Sequence, residues 1–338
     1  MTKNSTSVLF FGTPPAAVPC FQSLLDDPSI SLIGVVTQPD RPSGRGQHVT
    51  PSPVKAAAAP LGLPILQPDS LKGITIDEHG TVHGTAANDQ FVEFLNAQPP
   101  IDLFVVVAFG QIIPRSLINR PLSGILNVHF SLLPRWRGAA PIQRAIAAGD
   151  RRTGVSIMRI EPGLDTGPVY AMKELPIELD STFGSVHDSL AKIGAELLSD
   201  SIPRIISGEL TPKPQQEAGA THAAKWEKSD MQIRWNDPAR VTVDRIRASS
   251  PFWGGRTLLA GELVKIFSAG ITPIPNSAQS EESGTVVAVN RAEIVVRSGD
   301  GEGVAITELQ FPGKRKMPAK EYLAGHPVPL GTRFDDLP

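Results

Sequence analysis

The sequence predicts an α/β protein, a doubly wound and mostly parallel sheet followed by a small OB-like β-barrel. Three observations predict it. Apolar, strand-like runs alternate with helical periodicity from residue 8 to about residue 207, the pattern of a parallel sheet covered by helices. A proline-punctuated stretch, Thr211-Pro-Lys-Pro-Gln-Gln216, then interrupts all periodicity. Beyond it come five short strand signals separated by turn residues, which suit a small barrel. A chain of 338 residues is long for one domain. The expected division is 1–207, a linker at 208–222, and 223–338.

Val8–Phe11 is an apolar run ended by Gly12 and reads as a buried strand. A helix is expected over Ala16–Leu25, with Pro14 and Pro15 near its start. Ser31–Val36 is a second strand. Val54–Pro60 is Ala-rich and helical, begun after Ser52-Pro53. Gly73–Asp89 is polar, Gly-rich and without periodicity, and is expected to be a mobile surface hairpin or loop. Leu103–Ala108 is strongly β-branched, as in a sheet centre. Ile125–Val128 is a strand, Ala139–Ala148 a helix, Gly154–Ile160 a strand and Phe183–Ser207 a long helix. In the second part the strands are 256–260, 263–267, 285–289, 293–297 and 304–309, with one helix at about Arg240–Ala248. Asn276–Ser283 reads as a second mobile loop.

Composition is that of an ordinary globular protein, 41% hydrophobic and 20% charged. Net charge is −2, so no global field gathers a polyanion. Residues 223–338 hold 15 Lys+Arg against 14 Asp+Glu. Any nucleic-acid surface is therefore a local patch. The single cysteine, Cys20, excludes an internal disulfide framework and fits a reducing cytoplasm. No apolar run reaches the ~18 residues that span a membrane, and the N-terminus has no signal-peptide pattern. His79 and His83 are four apart, but Gly80 and Gly84 argue against the helix that zinc binding at that spacing requires. They read as exposed loop histidines. No metal is expected.

The chemistry is concentrated in Leu126-Asn-Val-His-Phe-Ser-Leu-Leu-Pro-Arg-Trp-Arg-Gly-Ala-Ala-Pro141 and Gly163-Leu-Asp-Thr-Gly167. Asn127 and His129 are two apart at a strand end, so they face the same side. An amide can donate to a developing oxyanion, an imidazole can shuttle a proton, and the carboxylate of Asp165 can orient it. Taken alone, Asn-x-His is as readily a capping Asn beside a surface His, and Asp165 a turn-former. The full string is far longer than chance supplies. There is no Gly-x-Gly-x-x-Gly after the first strand, so a dinucleotide site is not supported.

The string closely resembles the signature of the formyltransferases that use 10-formyltetrahydrofolate. Phe11-Gly-Thr-Pro14, Val36-Thr-Gln-Pro-Asp-Arg-Pro-Ser-Gly-Arg-Gly46 and Thr50-Pro-Ser-Pro-Val-Lys55 extend the resemblance, which runs from about Val8 to about Tyr322. These segments favour the branch whose acceptor is methionine on initiator tRNA. The resemblance implies a formyltransferase-like first domain and strengthens the barrel expectation for the second. It makes Asn127, His129 and Asp165 the catalytic trio. It gives Ser131, Leu132, Leu133 and Pro134 to the folate. Val107-Ala-Phe-Gly110 is read as the opposite wall, with Phe109 and Gly110 as candidate folate contacts. It assigns Arg45 to reading the tRNA acceptor end, beside which Lys213, Lys314, Arg315 and Lys316 are candidate tRNA contacts. The chain departs from the family at Phe130, expected to narrow the pocket, and at Pro15 and Ala16, where an acidic and an aromatic residue are usual.

The implied function is translational: formyl transfer from 10-formyltetrahydrofolate to methionine on initiator tRNA, by a cytoplasmic monomer. Two alternatives stand beside it. One is a formyltransferase for a small amine, such as an amino-sugar nucleotide or a glycinamide ribotide. The other is a catalytically inactive folate- and RNA-binding regulator, against which the intact trio argues.

Overall fold

The first apolar run becomes an inner strand of a seven-stranded sheet, beside its central strand. The strands are β1 (Thr6–Gly12), β2 (Ile30–Val36), β3 (Ile65–Leu66), β4 (Leu103–Val107), β5 (Ile125–His129), β6 (Arg152–Arg159) and β7 (Val169–Pro176). The computed structural model describes residues 5–43 and 48–338. Strand order is β7-β6-β5-β4-β1-β2-β3. The pairs β1–β2, β2–β3, β1–β4 and β4–β5 are parallel, and β5–β6 is antiparallel. β4 is buried at every position, which its run of β-branched residues allows only between two covered faces. The chain winds outward from β1 in both directions, so the crevice lies between the carboxyl ends of β1 and β4. There Thr13 Oγ1 donates to the Phe109 carbonyl at 3.0 Å, and Gln38 Nε2 reaches the same carbonyl at 3.3 Å.

The helices are α1 (Val18–Leu25), α2 (Pro53–Ala58), α3 (Asp89–Ala97), α4 (Pro141–Ala147) and α5 (Phe183–Ile206). α2 starts as its residues demand. The Ser52 side chain accepts from the Lys55 N–H, and Pro53 occupies the first turn, where its missing N–H costs nothing. The Gly73–Asp89 stretch contains a small hairpin, Thr75–Ile76 against Val82–His83. It is not only surface. Leu71, Ile74 and Val82 enter the core beside Phe91 and Phe104, and Asn96 donates to and accepts from the Val82 backbone at 2.8 Å each. Three isolated apolar residues in a polar stretch carry no periodicity, so the sequence does not announce them.

Two compact units form, one from residues 1–137, 154–175 and 188–222, the other from 138–153, 176–187 and 223–338. Two segments that precede residue 207 thus belong to the second unit. Their anchors are specific. Arg144 of α4 makes a two-pronged pair with Asp230 at 2.8 Å on each side. The buried Arg247 donates to the carbonyls of Glu178 and Ser181 while pairing with Asp244.

The second unit holds α6 (Ala239–Ser249), a second helix α7 (Ala319–Leu323), and strands β8 (Gly255–Leu259), β9 (Glu262–Thr272), β10 (Val286–Val289), β11 (Ile294–Arg297), β12 (Gly303–Gln310) and β13 (Phe334–Asp335). Order is β10-β11-β12-β9-β8-β13, and each of these neighbouring pairs is antiparallel. The two ends of this sheet meet. Val286 N donates to Thr332 O at 2.8 Å, and Phe334 N to Gly284 O at 2.8 Å. The sheet thereby closes into a small barrel around Trp235, Ile246, Ile266, Ile294, Ile306 and Phe334. β9 runs five residues past the expected Phe267. Register shifts at Ile266, Ser268 and Ala269 absorb the polar, flexible Ser268-Ala-Gly270 that reads in sequence as a strand end.

Candidate active site

Asn127 and His129 stand on β5, paired with Met158 and Ser156 of β6. Strand alternation sends Val128 and Phe130 the other way. A Cβ on Gly194 of α5 would lie 3.1 Å from Val128 and 3.5 Å from Phe130. Phe130 is therefore buried against α5 and does not narrow the pocket, because it lies on the opposite face from the imidazole.

His129 is 6% exposed, with one ring nitrogen hydrogen-bonded and the other facing a carboxylate. Nε2 lies 2.8 Å from the Trp136 carbonyl. A carbonyl only accepts, so Nε2 carries the hydrogen and donates. That leaves Nδ1 as the nitrogen that exchanges a proton. It faces Asp165 Oδ2 at 3.7 Å, beyond hydrogen-bond length but within ion-pair range.

Asp165 reaches this position through a tight loop. Its own φ is +51°, a left-handed conformation that costs a non-glycine residue on the order of 1 kcal/mol. Gly167 lets the loop close, since a Cβ there would sit 1.9 Å from the Arg159 carbonyl oxygen. Gln215 secures the loop, donating from Nε2 to Asp165 O at 2.8 Å and to Gly167 O at 2.7 Å.

The Ser131–Pro134 turn is built as tightly. Ser156, wholly buried, donates to Ser131 O at 2.7 Å and accepts from Leu133 N at 3.1 Å. Ser131 is buried and its hydroxyl donates to Arg135 O at 2.6 Å, so this hydroxyl is used in shaping the turn. Leu133 packs on Met158 and Val169. Leu132 and Pro134 are half-buried, and the Leu133–Pro134 peptide is cis. At the end of β4, the Phe109 ring lies in the core against Phe11, 5.4 Å between centroids. Gly110 follows it with φ +86°. The Phe109 ring thus points inward, and Ala108 and Gly110 are exposed at the strand end.

The structure brings His129 and Asp165 together, with Asn127 on the same strand face. Arg45 lies outside the described residues, between the paired segments Arg41–Ser43 and His48–Thr50. Lys213 is exposed, and its backbone exchanges two 2.8 Å hydrogen bonds with Val169. On the barrel, Lys314 is exposed, Arg315 pairs with Glu321, and Lys316 pairs with Glu308 at 3.2 Å. His83 bonds Asp77 at 2.9 Å, and the described residues contain no His/Cys/Asp/Glu group able to hold a metal. Sequence reasoning misses Ser156, the Trp136 carbonyl and Gln215. The first is one polar residue inside a strand, the second is backbone, and the third sits in a stretch that reads only as linker.

Residues 6–202 match the family model described as formyl transferase, and residues 225–327 match that of the formyl transferase C-terminal domain. The methionyl-tRNA formyltransferase of Halorhodospira halophila is 42% identical over 318 residues, 94% of this chain and 96% of that protein. That of Symbiobacterium thermophilum is 42% identical over 328 residues, 97% of this chain and 94% of that protein. Among solved structures, a sugar 3N-formyl transferase crystallised with dTDP and 5-N-formyl-THF shares the fold at TM-score 0.60 and 18% identity, covering 92% of this chain and 99% of that one. An N-formyltransferase from Helicobacter canadensis, complexed with folinic acid and dTDP-3-aminofucose, does so at TM-score 0.61 and 14% identity, covering 89% and 98%.

Proposed function

The chain belongs to the methionyl-tRNA formyltransferase family, and on that premise we infer that it moves the formyl group of 10-formyltetrahydrofolate to the α-amine of methionine on initiator tRNA. The observation that carries this reading is the placement of His129, hydrogen-bonded through Nε2 to the Trp136 carbonyl with Nδ1 turned toward Asp165.

The acceptor amine attacks only when neutral. A free α-amine titrates near ~8, and the adjacent ester lowers that, so little help is needed. As the nitrogen bonds to the formyl carbon, negative charge builds on the formyl oxygen. The Asn127 amide is the donor for that oxyanion. The proton leaving the amine passes to Nδ1 of His129, with Asp165 compensating the charge of the ring. Collapse of the tetrahedral centre breaks its bond to N10 of the folate, and N10 takes the proton. The turn at Ser131, Leu132, Leu133 and Pro134 offers backbone groups to the pteridine, and Gly110 leaves room for it at the opposite strand end. For the tRNA, Arg45 reads the acceptor end, while Lys213, Lys314, Arg315 and Lys316 hold phosphates. The surface pairs with Glu321 and Glu308 are weak enough to exchange for phosphate. The enzyme acts as a cytoplasmic monomer. No helix among the described residues is long and apolar enough to cross a membrane.

Steady-state formylation of Met-tRNA tests the trio. Asn127→Ala, His129→Ala and Asp165→Ala should each lower turnover on the order of a hundredfold or more with the fold intact by circular dichroism. Wild-type turnover in His129→Ala would remove the proposed proton path.

A further inference from the structure

The segment 213–221 does more than connect. Its residues grip both backbones that hold His129. At one end Gln215 spends both amide hydrogens on the Asp165 loop, one on Asp165 O at 2.8 Å and one on Gly167 O at 2.7 Å. Its oxygen accepts from Arg137 Nε at 3.0 Å. Arg137 is fixed in turn by Glu217, 3.1 Å from its terminal nitrogen. At the other end Thr221 Oγ1 accepts from Trp136 N at 2.8 Å, and Thr221 O accepts from Arg137 N at 2.9 Å. Trp136 is the residue whose carbonyl takes the His129 hydrogen, and its φ is +63°. Asp165 and Trp136 are thus both held in left-handed backbone conformations, and each is tied down by the same short segment.

We propose that Gln215 is a positioning residue for formyl transfer, holding the Asp165 loop so that its carboxylate faces Nδ1 of His129. The inference rests on the catalytic reading of Asp165 given above. Its chemistry is specific to an amide. Only a side chain with two donors and an acceptor satisfies two carbonyls and a guanidinium at once. Glutamate at this position keeps the size and the Arg137 contact but has no hydrogen to give, and it sets a negative charge against two carbonyl oxygens. The two hydrogen bonds from residue 215 to the Asp165 loop are then lost, and the carboxylate shifts relative to the imidazole. Displacements of about 1 Å at a reacting group cost on the order of a hundredfold in rate.

The test is a double-mutant cycle on the full-length protein, with kcat and the KM for the folate measured for Gln215→Ala, Gln215→Glu, Asp165→Ala and the double variant Asp165→Ala/Gln215→Ala. The expected result is a kcat lower by on the order of tenfold to a hundredfold in both Gln215 variants, with KM for the folate within about twofold and the fold intact by circular dichroism. Because Gln215 acts through Asp165, the double variant should be no slower than Asp165→Ala alone. A Gln215→Glu enzyme as fast as wild type would overturn the proposal. So would losses that multiply in the double variant, as a purely structural role requires. If Asp165→Ala itself retains wild-type turnover, the reading of Asp165 fails, an outcome distinct from the failure of Gln215 alone.

Discussion

At the scale of single residues, burial decides what each group does. Cys20 is fully buried on α1, and removal from water pushes its thiol up to about 12. The thiolate is the reactive form, so native protein should not be labelled by a thiol reagent at pH 8, while urea-unfolded protein should react at once. Rapid stoichiometric labelling of the native chain would place Cys20 elsewhere than in the core. His129 is as buried as a core residue, yet both its nitrogens have assigned neighbours. Its placement beside Asn127 was legible because the two are two apart on a strand, and Asp165 stood out between glycines. Phe109 was not legible in the same way. In Val107-Ala-Phe-Gly110 nothing in the pattern says whether the ring faces the pocket or the core, and it faces the core. Gln215 was invisible because the two groups it donates to are backbone carbonyls, which leave no mark in a sequence.

At the scale of elements, the parallel strands and the long helix follow their apolar periodicity closely, while short anchoring pieces do not. The barrel strands could be read one by one, but their closure depends on 331–334, a Gly-Thr-Arg-Phe run too short and polar to announce itself as a strand. The docking of α4 likewise uses Arg144, which bonds the Ala224 and Lys225 carbonyls as well as pairing with Asp230. Burial alone would raise the Asp230 carboxyl, but hydrogen bonds from Arg144 and from the Glu227 N–H outweigh it and hold the group below the usual carboxylate range. A depressed folded-state value gives stability that is fully present above the unfolded value, near ~3.9, and is lost as pH falls through the lower folded value. Asp230→Asn should therefore melt below wild type at pH 7. The gap between the two should close as the medium is acidified past that range. A gap that stays constant down to pH 2 would mean that the pair is not the source of the stabilisation.

At the scale of the whole molecule, the chain passes between its two units more than once. Residues 138–153 and 176–187 pack with the barrel unit, and 208–222 packs with the sheet unit. A cut at 207 removes Lys213, Gln215 and Thr221 from the unit they hold together, so the folate-binding body we propose extends to residue 222. With a net charge of −2 the molecule as a whole does not attract tRNA. Recognition of the acceptor must come from local groups. Purified full-length protein should be given 10-formyltetrahydrofolate with charged initiator Met-tRNA in one reaction and with a dTDP-linked amino sugar in another. The expected products are formylated methionyl-tRNA and no formylated sugar. Formylation of the sugar with none of the tRNA would contradict the proposed function.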